Sequence, residues 1–248
     1  MLYSNYHTHS TFCDGRDSVE SVVNTAIEKG FKYLGFSSHS YLEGDDGWTL
    51  KKHELSNYVN EVLRVKEKYK NQISIFLGIE QDTYSKIYDY KFDYVIGSMH
   101  SIEKDGKVYS VDFNAQSFKT LLEEVYLNDF DLLCKDYFEQ IKGVYDKTNA
   151  NIIGHFDLIS KFIEVSNLTL PKNYLKYAED AIKCIVKDVK IFEINTGGMA
   201  KGYRTSPYPS KEILSFILKH GGSIMINTDC HSKDRLDYGY LDAISLAK

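Results

Sequence analysis

Short apolar runs of β-type residues alternate along this chain with longer stretches whose apolar positions recur every three or four residues. The short runs are Asn5–His9, Tyr33–Ser37, Ile73–Ile79, Tyr94–Gly97, Asn151–Gly154, Lys190–Asn195 and Ser223–Asn227, and each predicts a strand. Between them lie helical stripes. Val19, Val22, Val23, Ala26 and Ile27 form the first, with Asp17 as expected cap, Glu20 three residues on, and Gly30 as a stop. Others are Leu55, Val59, Val62, Leu63 and Val65; Phe118, Leu121, Leu122 and Val125; Tyr177, Ala181, Ile182 and Ile185; and Ile213, Leu214, Ile217 and Leu218. Residues 114–150 read as one mostly helical connection of two helices. Strands alternating with helices imply a parallel sheet with right-handed crossovers. Seven such units fit a closed barrel better than a small open sheet.

Composition narrows the class. The chain has 248 residues, 43% of them hydrophobic, with three prolines and no Gly/Ser-rich linker to divide it. Its 35 acidic and 30 basic side chains leave a formal charge of −5, which argues against a nucleic-acid binder. Only Arg16, Arg64, Arg204 and Arg235 are arginine, so the residue best suited to gripping phosphate is scarce. Cys13, Cys134, Cys184 and Cys230 form no C-x-x-C pair and read as packed free thiols in a reducing compartment. No apolar run approaches the ~20 residues needed to span a bilayer. The start, Met-Leu-Tyr-Ser-Asn, lacks the features of a signal peptide. A cytoplasmic protein acting without membrane or nucleic acid is expected.

The histidines change the picture. Of eight, His53 and His220 fall in helical stretches, whereas His7, His9, His39, His100, His155 and His231 fall at or just past strand ends. About three residues at each strand end make up roughly a tenth of the chain, so fewer than one histidine is expected there by chance. Glu80 ends the run Ile-Phe-Leu-Gly-Ile-Glu, Asp229 precedes His231 by two, and Asp14 follows His9 in a loop. Residues two apart in an extended chain share a face, which aims His7 with His9, and Asp229 with His231, to one side. Burying so many titratable groups at one barrel end is costly unless metal ions satisfy them. Imidazole and carboxylate suit zinc, iron(II) or manganese alike.

The ordered motifs His7-Thr-His9 with Asp14, Ser37-Ser-His39, Gly97-Ser-Met-His100-Ser and Asn227-Thr-Asp229-Cys-His231 resemble those of the PHP (polymerase and histidinol phosphatase) superfamily. Gly78-Ile-Glu80, Gly154-His155-Phe-Asp157-Leu and Glu193-Ile-Asn195-Thr-Gly are similar to its stand-alone histidinol-phosphatase branch. The resemblance covers the chain end to end and implies one domain over residues 1–248. It implies an α/β fold, a distorted (β/α)7 TIM-like barrel with its metal site at the C-terminal ends of the strands. It implies three divalent ions: one on His7, His9, Glu80 and Asp229, one on bridging Glu80 with His100 and His155, and one on Asp14, His39 and His231. The implied reaction is hydrolysis of L-histidinol phosphate by metal-bound hydroxide, with Asp229, Glu80 and His231 as catalytic residues and Asp229 as candidate acid. Ser101, Lys161 and Arg204 are the expected phosphate contacts, Lys161 standing where relatives usually carry arginine. A substrate bearing ammonium and imidazole calls for an acidic, aromatic pocket, which points to Glu43, Asp45, Asp46 and Trp48. Other readings are hydrolysis of a nucleotide or another small phosphate ester, an accessory domain of nucleic-acid processing, and a binding module without catalysis.

Overall fold

A computed structural model describes residues 3–44 and 47–248, the side chain of residue 3 excepted. Seven parallel strands form one sheet: β1 (Tyr3–Asn5), β2 (Phe31–Phe36), β3 (Ser74–Asp82), β4 (Tyr94–Ser98), β7 (Ile152–Ile153), β8 (Ile191–Asn195) and β9 (Ser223–Asn227), in that order. A parallel bridge between Thr8 and Cys230 joins the first and last members, so the sheet curls into a nearly closed barrel. A two-stranded hairpin, β5 (Ser101–Lys104) and β6 (Lys107–Ser110), stands outside this ring. Helices α1 (Val19–Glu28), α2 (Leu55–Tyr69), α3 (Ala115–Thr120), α4 (Phe130–Ile141), α5 (Val144–Thr148), α6 (Tyr174–Ile185), α7 (Gly197–Ala200), α8 (Lys211–Lys219) and α9 (Tyr240–Leu246) fill the connections. Among the described residues no helix is long and apolar enough to cross a membrane.

The two-residue period of the strands sorts side chains between two layers. Ile75, Leu77 and Ile79 pack outward with Val19, Val23, Tyr58 and Val62, while Phe192 and Ile194 pack outward against the α4 and α6 side. The alternate residues turn inward. Tyr94, Ile96 and Ile152, with Tyr6, Phe76, Ile191 and Met225, close the lower half of the barrel with an apolar plug. Tyr94 fits because two glycines leave room. A Cβ at Gly35 would lie 2.3 Å from the Tyr94 hydroxyl, and one at Gly78 would lie 2.3 Å from its ring. The hydroxyl donates to the Tyr6 carbonyl across the barrel. Above the plug the inward positions become polar: Glu80, Glu193, Asn195 and Asn227.

Several local expectations shift. The cap of α1 is Ser18, whose hydroxyl accepts from Ser21 N at 3.3 Å, because the Asp17 carboxylate accepts from Lys233 N at 2.9 Å. Leu63 and Leu218 lie on the solvent side, 43% and 53% exposed, since each stripe is narrower than the run of apolar residues. The first strand stops at Asn5, and His7 to His9 continue as irregular backbone tied to Cys230. The connection at 114–150 holds three helices and a π-helical turn, Leu121–Val125. The β5–β6 hairpin was not anticipated, although Asp105-Gly106 marks its turn. Both residues have positive φ, 51° and 75°, as a tight hairpin turn requires.

Candidate metal centre

All nine expected ligands converge above the apolar plug, and Glu80 is the hub. It is an inward residue of β3, two before the strand ends at Asp82, and is buried to 1% exposure. Its Oε2 lies 3.2 Å from His7 Nε2, 3.6 Å from His9 Nε2 and 2.7 Å from His39 Nδ1. Its Oε1 lies 2.9 Å from His155 Nε2 and 3.3 Å from His100 Nε2. One carboxylate thus faces two groups of imidazoles. Asp229 closes the other side, with Oδ1 3.1 Å from His9 Nε2 and 3.6 Å from both His7 Nε2 and His231 Nδ1. Asp14 faces a further set: His231 Nε2 at 3.1 Å, His39 Nε2 at 3.5 Å and His9 Nδ1 at 3.9 Å. The rings of His9 and His231 stack at 4.1 Å between centroids, and those of His9 and His39 at 4.3 Å.

The donor set fits divalent transition metals on geometric grounds. His7 Nε2, His39 Nδ1, Glu80 Oε2 and His231 Nε2 are buried and make no hydrogen bond, despite neighbours within contact distance. Each lies within 3.2 Å of another donor atom of the set, as ligand atoms sharing an ion do. The same atoms sort into four overlapping groups, each within 4.8 Å: His9, Asp14, His39 and His231; His7, His155 and Asp229; His7, His9 and Glu80; and His39, Glu80 and His100. This is a metal-binding centre with nitrogen and oxygen donors.

Electrostatics keep the acids ionised. Burial opposes the charge on Glu80, but His7, His39 and His100 outweigh it and hold the carboxyl well below its usual range. Burial likewise opposes charge on Asp229, and His7, His9, Lys201 and His231 hold it low. Burial favours neutral His7, yet Glu193, Glu80 and Asp229 raise its pKa well above normal. Burial, reinforced by His231 and His39, lowers His9 to about 3. Cys13, with Sγ 3.4 Å from His9 Nδ1, has its thiol pushed up to about 11, chiefly by burial. It stays a neutral packing group, as does buried Cys230.

Two carboxylates without an assigned role from sequence fix the imidazoles. Glu193, fully buried in β8, accepts from His7 Nδ1 at 2.9 Å, His155 N at 2.6 Å, Asn195 Nδ2 at 2.7 Å and Asn227 Nδ2 at 3.0 Å. With its Nδ1 engaged, His7 must offer Nε2 to the centre. Asp82 does the same for His100, its Oδ2 2.9 Å from Nδ1. Both sit at inward positions two residues from another polar inward residue, Asn195 and Glu80 respectively, and that repetition was the available signal.

A cavity of about 310 Å³ opens onto the centre, walled in part by Trp48, Ser101, Asp112, Phe113, Lys161 and Lys201. Lys161 is buried, its Nζ donating to the Asp112 carbonyl and to Asp112 Oδ2, both at 3.1 Å. Burial opposes the charge of Asp112, but Lys161 foremost, then His100 and Lys201, lower its pKa to about 2. Two of the expected substrate contacts lie off the cavity wall. Arg204 does not line the cavity, because its guanidinium is drawn away by the Ser160 carbonyl and hydroxyl and the Ser206 carbonyl, over the Tyr208 ring. Lys201, three residues earlier, faces the cavity instead. Glu43 is exposed and also off the cavity wall, while Asp45 and Asp46 lie outside the described residues.

Comparison with known proteins identifies the family and the fold. The PHP domain family model matches residues 5–197. The chain belongs to that family. This PHP domain is 28% identical to a Schizosaccharomyces pombe protein named probable histidinol-phosphatase, over 94% of the chain and 82% of that protein. It is 23% identical to the histidinol-phosphatase of Bacillus subtilis, over 94% of the chain and 95% of that protein. The solved structure of hisK from Listeria monocytogenes superposes with a TM-score of 0.83 at 21% identity, covering 96% of this chain and 99% of that one. A second, histidinol phosphate phosphatase from Lactococcus lactis in complex with zinc, L-histidinol and phosphate, has a TM-score of 0.64 at 20% identity, covering 98% and 91%. Both place the distorted (β/α)7 barrel.

Proposed function

We propose that this PHP domain, residues 1–248 acting as one unit in the cytoplasm, hydrolyses L-histidinol phosphate to L-histidinol and phosphate. The observation that carries the reading is Glu80, a buried carboxylate with one oxygen facing His100 and His155 and the other facing His7, His9 and His39. The full-length relatives named for this reaction, and the L-histidinol and phosphate held by the Lactococcus lactis protein, support the substrate.

Three divalent ions, of zinc, iron or manganese, would be held by His7, His9, Glu80 and Asp229; by Glu80, His100 and His155; and by Asp14, His39 and His231. Such ions supply Lewis acidity that activates water and offsets phosphate charge. The chain's own residues supply the rest. Glu193 and Asp82 hold His7 and His100 in one orientation, so the reacting groups meet without reorganisation. Lys161 presents an ammonium to the phosphate, and Ser101 a hydroxyl, from the cavity wall. Asp229 Oδ1 faces the imidazoles, whereas Oδ2 has only a long 3.5 Å contact with Asn195 Nδ2. Asp229, ionised at rest, would take up at Oδ2 the proton released by the attacking water and return it to the leaving oxygen.

Phosphate release from L-histidinol phosphate, p-nitrophenyl phosphate and a nucleoside monophosphate on one metal-replete preparation tests this. The expected kcat/KM favours histidinol phosphate by roughly 100-fold or more. Equal weak rates on all three would discard the substrate, and no release from any would discard the phosphatase.

A further inference from the structure

Asp112 is the one carboxylate among the described residues that lines the cavity without belonging to the expected ligand set. It follows β6, and its partner Lys161 follows the turn Leu158–Ser160, so the pair ties the hairpin to the barrel wall. The lysine gives two of its three N–H donors to Asp112, at the carbonyl and at Oδ2. Asp112 Oδ1 has only a 3.4 Å contact from the Ser110 hydroxyl, and about a fifth of the side chain remains accessible.

We propose that Asp112 reads the amino group of the substrate, so that the site selects phosphate esters of β-amino alcohols. This rests on the phosphatase reading and names what the pocket recognises beyond phosphate. A cation and an anion 3.1 Å apart on one wall match a molecule whose ammonium sits two carbons from the ester oxygen. The phosphate draws Lys161, and the substrate ammonium replaces it at Asp112. Four charges then pair crosswise, and none is left buried alone. An ester without an amine meets a penalty. Its phosphate takes Lys161 from Asp112 and leaves the two anions with only Lys201 of the cavity wall to offset them. The hairpin that carries Asp112 is thus a specificity element, placed by the Asp105-Gly106 turn and held by Gln140, which donates from Nε2 to the Glu103 carbonyl and accepts at Oε1 from Glu103 N.

Matched substrates test this: O-phosphoethanolamine against ethyl phosphate, and histidinol phosphate against its analogue lacking the amine, all on the metal-replete full chain. Wild type is expected to favour the amine-bearing member of each pair by about 10- to 100-fold in kcat/KM, mainly through KM. Asp112→Asn, which keeps an acceptor for Lys161, should bring both ratios to within about threefold of unity, and Asp112→Glu should restore part of them. Lys161→Ala should lower the rate on both members of a pair by a similar factor. Unselective wild-type enzyme, or ratios unmoved in a folded Asp112→Asn protein, would overturn the proposal. If both ratios behave as expected but histidinol phosphate is no better than phosphoethanolamine, the histidinol reading falls and the amine-reading role of Asp112 stands.

Discussion

Replacing Glu193 by glutamine changes one oxygen to an amide nitrogen and tests whether the centre depends on how its imidazoles are held. Oε1 accepts from His155 N and Asn195 Nδ2, and Oε2 accepts from His7 Nδ1 and Asn227 Nδ2. Whichever way the new amide turns, its NH2 meets two donors, and both lose their acceptor in a fully buried site. At ~1–3 kcal/mol for each buried group left unsatisfied, the cost is about 2–6 kcal/mol. For a chain of this size that corresponds to a Tm lower by roughly 5–20 °C. The second consequence is chemical. His7 can recover its bond by shifting its proton to Nε2, which then cannot bind a metal, and metal affinity should fall ~10- to 100-fold. Metal content after dialysis against buffered zinc, measured with Tm and kcat/KM, separates the two effects. A glutamine protein of unchanged Tm, or one that loses stability and keeps full zinc affinity, would refute the orienting role of Glu193.

Dialysis against a chelator should abolish phosphatase activity and, for ions previously present at ~1,000 times their Kd, remove about 4 kcal/mol of stability per site, recoverable on adding zinc or manganese back. Lys161→Ala should cost ~10- to 100-fold in kcat/KM on any phosphate ester, with Lys161→Arg recovering most of it; a full-rate alanine protein would remove Lys161 from the phosphate site. Gly78→Ala should destabilise the barrel by about 1–3 kcal/mol, because its Cβ meets the Tyr94 ring, and a Tm equal to wild type would show the plug to be loose. Glu20, lowered to about 2 by hydrogen bonds from Lys68, Arg64 and Tyr69, has a folded pKa below its ordinary 4.5. Its contribution is therefore complete above pH 4.5 and disappears as pH falls towards 2, so the Tm gap between wild type and Glu20→Gln should close over that window and shrink in salt.

The ligands were legible because metal chemistry restricts them to few residue types and the strand period restricts them to few positions. His7 with His9 and Asp229 with His231 needed only alternation to point the same way, and Glu80 only its place at the end of β3. Glu193 and Asp82 were harder, because a carboxylate that orients an imidazole looks in sequence like any buried acid. Lys201 is on the cavity wall and Arg204 is not, a difference the sequence could not show because a loop carries no periodicity to say which of the two faces inward. Asp112 escaped notice for a different reason. Its partner lies 49 residues away, and only the hairpin brings the two together. The cap of α1 moved by one residue because Asp17 answers to Lys233, a contact between opposite ends of the chain.

The inward face of β3 reads Phe76, Gly78, Glu80 and then Asp82, which serve in turn as floor, cradle, hub and brace. Sliding this strand by one residue would push Glu80 into the aliphatic layer of Leu34 and Val62 and bring Ile79 among the imidazoles. The same slip would set Leu77 against Tyr94 in place of Gly78. A misthreaded barrel is thus penalised three times by a single strand, before any ion binds. The alternation that assembles the chemistry also proofreads the topology, and it fixes the longest described strand in its place in a ring of seven.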